Sequence, residues 1–267
     1  MLLSLSSRSL SSLSLSPASV PSRIKGAYFG ALVADALCLG SHYEYDAAKI
    51  KAAYGGEAIG RYYGPGEFMG GETNGIGWGS RNYHPGTVAG DQTDYGEYNV
   101  LVLEHLSSAA SLPPPALFSV EALLPLWKER ISGDWKQWIC TQSRLTYQQV
   151  SQNVPVPQLG GTSNAMALRF AAVFAYYQEE EEVVDAARKV MFTHRERTAV
   201  MGGEFFARVT HRVVHGGLTP REAIDGVAAE SDPWIQEKVE LADRERSRRR
   251  RTAGALSAAR SSPTTWR

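Results

Sequence analysis

Residues 30–45 read Gly-Ala-Leu-Val-Ala-Asp-Ala-Leu-Cys-Leu-Gly-Ser-His-Tyr-Glu-Tyr, and this stretch decides the fold class. Apolar residues recur at helical spacing up to Leu39, Gly40-Ser41 breaks the helix, and a carboxylate, Glu44, stands at the exit. Well downstream, Thr93-Asp94 opens a second apolar helix, so two acidic side chains occupy helix ends from which they can share a site. An oxygen-only cluster of this kind suits a hard cation, Mg²⁺ or Mn²⁺, rather than zinc.

The helical period recurs wherever the chain is regular. It predicts helices over Ile24–Leu39, Tyr98–Leu106, Val120–Trp127, Ala165–Tyr177, Val183–Phe192, Glu204–Val214 and Pro220–Ala229. The last is opened by Thr219 as N-cap with Pro220 at its first position. Glu179 to Glu182 sit where negative charge favours a helix start. Strand alternation is nearly absent, so the class is all-α: a multi-helix bundle. The exception is Gly55 to Gly90, a long Gly-rich loop that also holds Tyr62, Tyr63, Phe68, Trp78 and Tyr83. It reads as a lid over a pocket or as a hairpin insertion with glycines at its turns.

A chain of 267 residues makes one or two domains with a large core. Lys plus Arg and Asp plus Glu number 28 each, so the folded part has no charge reason to bind nucleic acid or an acidic membrane. Two cysteines, Cys38 and Cys140, exclude a disulfide framework, fit a reducing compartment and lack zinc spacing. No apolar run is read as long enough to span a bilayer, and the protein is expected to be soluble.

The ends differ from the middle. Residues 1–23 are mostly Ser and Leu with Arg8 and Arg23 and no acid, which reads as a transit peptide for a chloroplast or mitochondrion or as a disordered tail; without import the protein would be cytoplasmic. Residues 24–240 form the helical domain. Residues 241–267, with Arg-Glu-Arg-Ser-Arg-Arg-Arg-Arg from Arg244, read as a disordered Arg-rich tail.

The chemistry centres on Asp91-Gln92-Thr93-Asp94-Tyr95-Gly96-Glu97. A capping box, with Asp94 accepting from a first-turn amide and Glu97 reaching back, accounts for this stretch as readily as a metal site. Glu44 alone reads equally as a solvated residue at a helix exit. His194, beside Arg195 and Arg197, fits a helix C-terminus, and Asn164 after Thr162-Ser163 fits an N-cap. His42 and His84 read as surface or packing histidines. Arg169, near the start of an apolar helix, needs a carboxylate or phosphate partner.

These residues carry a resemblance. Gly30 to Leu37 followed by Gly40-Ser41-His42-Tyr43-Glu44 resembles the opening helix of the ADP-ribosylglycohydrolase superfamily, the dinitrogenase-reductase-activating glycohydrolase-like proteins. Thr93-Asp94 resembles its Thr-Asp-Asp-Thr metal motif. Gly160-Gly161-Thr162-Ser163-Asn164-Ala165-Met166-Ala167-Leu168-Arg169 is similar to its Gly-Asn-Gly segment ending in Met-Arg, and Phe192-Thr193-His194 to its later Thr-His. The resemblance implies an all-α orthogonal bundle with a binuclear Mg²⁺ or Mn²⁺ centre that cleaves ADP-ribose from a modified protein or small conjugate.

By that resemblance Thr93, Asp94 and Glu44 are metal ligands, with Glu44 also the general base; Thr162, Ser163, Asn164, Arg169 and His194 border the ligand. Metal-bound water and a nearby carboxylate would supply the nucleophile. This chain departs from the pattern at Tyr95, where the family has its second Asp, and at Gly96, where it has its second Thr. The phenol, with a reference pKa of about 10, is a poor ligand, so one cation rather than two is an alternative. No Asp-x-Asp-Thr follows Glu230, so the chain is read as C-terminally incomplete relative to the family. The Tyr-Gly-Glu ending resembles a divergent branch that includes crystallin-type members. Two functions therefore stand: a metal-dependent hydrolase, or a degenerate, non-hydrolytic member that binds a ligand or serves structurally. Either is expected to be a monomer.

Overall fold

Most of the helices start where a side chain satisfies a free amide, in a computed structural model that describes residues 18–42, 44, 46–56, 59–65, 84, 86–109, 118–133, 135, 139–163 and 168–261. Helix α1 (Val20–Cys38) is capped by Ser19 and runs into a single 3-10 turn, Leu39–Ser41. Asp46 caps α2 (Ala47–Ala53). Next come α3 (Asp94–Ala109), α4 (Val120–Ser132) under Ser119, and α5 (Thr141–Ser151) under Cys140. The remainder are α6 (Val173–Tyr176), α7 (Glu180–Val190), α8 (Arg197–Val214), α9 (Pro220–Glu230) and α10 (Pro233–Ser261). The capping box at Thr219 is complete, with Glu222 reciprocating. The described residues hold no sheet, only an isolated parallel bridge between Gly161 and His194, so the class is all-α.

One core joins Tyr98, Leu101 and Val102 of α3, Leu123 and Trp127 of α4, Val173 and Phe174 before α7, and Val183, Val184 and Ala187 within it. A second, smaller cluster binds Phe205 and Val209 of α8 to Ala223 and Val227 of α9 and Ile235 of α10. Between α7 and α8 lies a surface lattice in which Arg208 and Arg212 each reach Glu180, at 2.9 and 3.0 Å.

Several expectations are corrected. Ala165–Tyr177 is not one helix: residues 164–167 lie outside the described residues, Leu168–Ala172 is irregular, and only Val173–Tyr176 is helical. The reason is tertiary, because the Ala171 amide donates to Asn99 Oδ1 on α3 at 2.8 Å rather than to a helical carbonyl. From residue 241 the composition predicts disorder, yet α10 continues through Ser261. Its Ala, Leu, Glu and Arg are strong helix formers, no proline intervenes before Pro263, and Arg246–Asp243 and Arg248–Glu245 approach one turn apart at 3.9 and 3.8 Å.

At the other end, residues 18–23 belong to the helical body, with Arg23 Nε donating to Val214 O at 2.6 Å; the first 17 residues lie outside the described residues. Val20–Ser41 is, by length and composition, apolar enough to cross a bilayer, contrary to the reading that no run reaches that length. Here it packs on α3, α6 and α8. Of the Gly-rich loop, residues 66–83 fall outside the described residues, and with them the lid or hairpin; at its near end Tyr63 stands 5.0 Å from the Tyr54 ring.

Candidate functional site

Asp35 is the polar interruption on α1, and it faces the start of α3. Its carboxylate accepts from the Thr93 amide (2.7 Å) and the Thr93 hydroxyl (2.5 Å). Burial pushes the Asp35 carboxyl above the ordinary carboxylate range, and the Thr93 bonds hold it back. Thr93, not Asp94, caps α3: its Oγ1 accepts from the Tyr95 amide at 3.2 Å and its carbonyl from the Glu97 amide at 3.1 Å. Glu97 turns to Arg130, 3.7 Å away, so the expected Asp94–Glu97 capping box is replaced. Gly96 makes this approach possible, because a Cβ there would lie 2.6 Å from Asp35 Oδ2.

With the cap supplied by Thr93, Asp94 is released for a different partner. Its Oδ2 accepts from Arg169 Nη2 at 2.9 Å, and the two side chains are only 3% and 1% exposed. The guanidinium packs against two aromatic rings, 4.4 Å from Tyr95 and 4.1 Å from Tyr98. Around it, Nη1 donates to Ser143 Oγ (3.4 Å) and Nη2 approaches Cys140 Sγ (3.6 Å), while Nε is buried with no protein acceptor. Tyr98 in turn donates to Ser143 at 2.9 Å and accepts from Trp127 Nε1 at 2.7 Å, tying the site to the core.

Electrostatics follow from this enclosure. Burial pushes the Asp94 carboxyl up to about 6, with Arg169 pulling it down and Asp35 adding to the rise. Burial works against the Arg169 charge, yet Asp94 beside it holds the guanidinium protonated above the ordinary arginine range. Both are therefore charged at neutral pH. Burial also raises the Tyr95 phenol, which stays protonated.

The other predicted residues form a flank. The Gly161 amide donates to Thr193 O (3.1 Å) and the Arg195 amide to Gly161 O (2.9 Å), so the Thr162-Ser163 segment runs beside His194. This crossing depends on Gly160, whose φ of +90° and approach to Phe192 O exclude a side chain. His194 is buried, with Nδ1 2.8 Å from the Thr193 hydroxyl, and burial with the Arg169 charge lowers its pKa to about 4. It is thus a buried neutral imidazole rather than a charged helix terminator. Thr162 is exposed, Ser163 is partly buried, and Asn164 lies outside the described residues.

Glu44 is buried, not solvated, and its Oε1 accepts from the Asp46 amide at 2.8 Å. Beside it His42 Nδ1 meets His84 Nε2, with the rings stacked at 4.6 Å and burial lowering them to about 4 and 3. Asp94 has Arg169 as its charge partner and Asp35 as a neighbouring carboxylate.

Among the described residues no three His, Cys, Asp or Glu side chains converge to hold a metal. Asp35 and Asp94 bring two negative charges, Arg169 returns one, and the Thr93 hydroxyl proton is committed to Asp35. A pair of divalent cations needs several free anionic oxygens, and this donor set does not fit it. The residues the sequence reading missed are Asp35, Tyr98, Asn99 and Ser143. Asp35 alone had a signal, a carboxylate inside an apolar helix.

A family model described as ADP-ribosylglycohydrolase matches residues 16–265. No curated protein and no solved structure matches the chain.

Proposed function

The chain belongs to the ADP-ribosylglycohydrolase family, and from that premise we propose that it binds ADP-ribose conjugates without metal-dependent turnover. The observation that carries this reading is the buried Asp94–Arg169 pair: the one acid left in the family's metal motif is already neutralised by a protein cation. The Tyr95 phenol supplies no anionic oxygen in its place. Thr162, Ser163, Asn164 and His194 are the proposed ligand contacts; the Gly161–His194 bridge brings the start of the Thr162-Ser163 stretch beside His194, whose imidazole feels the Arg169 charge. ADP-ribose offers hydroxyls and a diphosphate, and the Thr162 and Ser163 hydroxyls can donate to either.

The test is calorimetric titration of ADP-ribose into the full chain with Mn²⁺ and with EDTA, alongside incubation with ADP-ribosylated peptides. Equal affinity under both conditions and no release of ADP-ribose are expected. Release that needs Mn²⁺ or Mg²⁺ refutes the proposal. That result would establish the second reading, a hydrolase with a single divalent cation, which is favoured by the closeness of the Asp35 and Asp94 carboxylates.

A further inference from the structure

Arg169 is encased rather than merely paired. Its Nη2 meets both Asp94 and Cys140, its Nη1 meets Ser143, and the Tyr95 and Tyr98 rings stand 4.4 and 4.1 Å from its central carbon. Tyr98 cannot move without breaking its bonds to Ser143 and Trp127. Tyr95 is fixed through its backbone, its amide donating to Thr93 Oγ1 and its carbonyl accepting from Asn99 Nδ2 at 3.1 Å. Asn99 also anchors the Arg169 segment itself by accepting from the Ala171 amide. Asn99 thus supports both Tyr95 and the segment that carries Arg169.

We infer that Tyr95 is a positioning residue that seats Arg169 against Asp94 as the resident cation of this site, taking the place that a divalent ion would otherwise compete for. This inference rests on the proposed loss of metal-dependent turnover and supplies its physical cause. A ring over the face of a desolvated guanidinium attracts it and excludes water, whereas a carboxylate at the same position would draw it from Asp94 and add an anionic oxygen. With Tyr95 in place, the charge at Asp94 is matched one to one. A cation entering there must displace a guanidinium held by a short ion pair and two rings.

The experiment measures the Tm of the full chain against MnCl₂ concentration for wild type, Tyr95→Phe, Tyr95→Asp and Arg169→Gln. Wild type and Y95F, which keeps the ring, are expected to show no Mn²⁺-dependent shift. Y95D adds a third carboxylate beside Asp35 and Asp94 and removes one of the two rings packed against the guanidinium. R169Q removes the resident charge outright. Each of these two is expected to gain a Tm that climbs with Mn²⁺, by roughly 5 °C at a hundred-fold excess over Kd. Absence of a shift in both variants overturns the inference while leaving the non-hydrolytic reading intact. A shift in wild type equal to theirs overturns both.

A measurement on wild type guards against variants that fail to fold. The Arg169 Nε–H resonance, assigned by its loss in uniformly ¹⁵N-labelled Arg169→Lys, should stay in place when 10 mM Mg²⁺ is added, on the order of a thousand-fold excess over a typical tight-site Kd. Movement of that resonance overturns the inference.

Discussion

Replacing Arg169 by methionine tests the electrostatic account most directly. The substitution removes the charge and its contact with Asp94 while keeping an unbranched chain between the Tyr95 and Tyr98 rings. Breaking a buried ion pair by deleting one partner costs about 3–5 kcal/mol, because the survivor stays charged in a low-dielectric pocket. The lost cation–π contacts belong to the same sum. About 4 kcal/mol is therefore expected at pH 8, or a Tm lower by about 8–16 °C.

The pH dependence sharpens the test. Asp94 titrates near 6 with the guanidinium present, and without it burial pushes the carboxyl higher still. The folded variant then holds a proton that the unfolded chain, at an ordinary carboxylate pKa, has already lost. Its stability rises as pH falls, so the gap to wild type should narrow between pH 8 and pH 6. The assay is urea unfolding followed by tryptophan fluorescence at both pH values, with midpoints compared at constant slope. Adding Asp94→Asn to Arg169→Met should recover much of the loss. A cost below about 1 kcal/mol at pH 8, or additive single and double variants, refutes the reasoning.

Three further outcomes are expected. His194 is held neutral by burial, with a pKa of about 4, so it contributes to a loss of stability as pH falls from 6.5 towards 4 while the unfolded imidazole takes its proton; His194→Gln should make that slope shallower by up to about 3 kcal/mol, the His42–His84 pair keeping its own share, measured by chemical unfolding across the range. Tyr98→Phe leaves Trp127 Nε1 and Ser143 Oγ without their buried partner and should cost about 1–3 kcal/mol by the same assay, with an unchanged midpoint counting against the Tyr98 network. Gly160→Ala forces a Cβ to within 2.5 Å of Phe192 O at a φ of +90° and should cost more than about 1 kcal/mol, with faster hydrogen exchange at the Gly161 amide; unchanged protection there argues against the bridge.

Much of the helical body was legible because its signals are local. Period, cap and first-turn charge lie within a few residues of each other, as at Thr219-Pro220-Arg221-Glu222 and at Glu180 to Glu182. The errors lie where a distant partner competes for the same atoms. Asn99 takes the Ala171 amide and turns an expected helix into an irregular strand of chain. Asp35 takes the Thr93 donors, so Thr93 assumes the cap and Asp94 is left for Arg169. For the last helix composition misled in the other direction, since charge density argues against burial but not against helix.

The amino-acid sequence by itself determined the all-α class, membership of the family whose model matches residues 16–265, and the need of Arg169 for an anionic partner. Only the tertiary structure decided which anion that is. Asp94 and Arg169 are separated by 75 positions, and nothing local to either distinguishes a bond between them from a bond to a metal or a diphosphate. That choice is made by packing. Two tyrosine rings and a buried serine enclose the guanidinium, and in so small and dry a volume each charge is matched by whichever opposite charge the fold brings nearest.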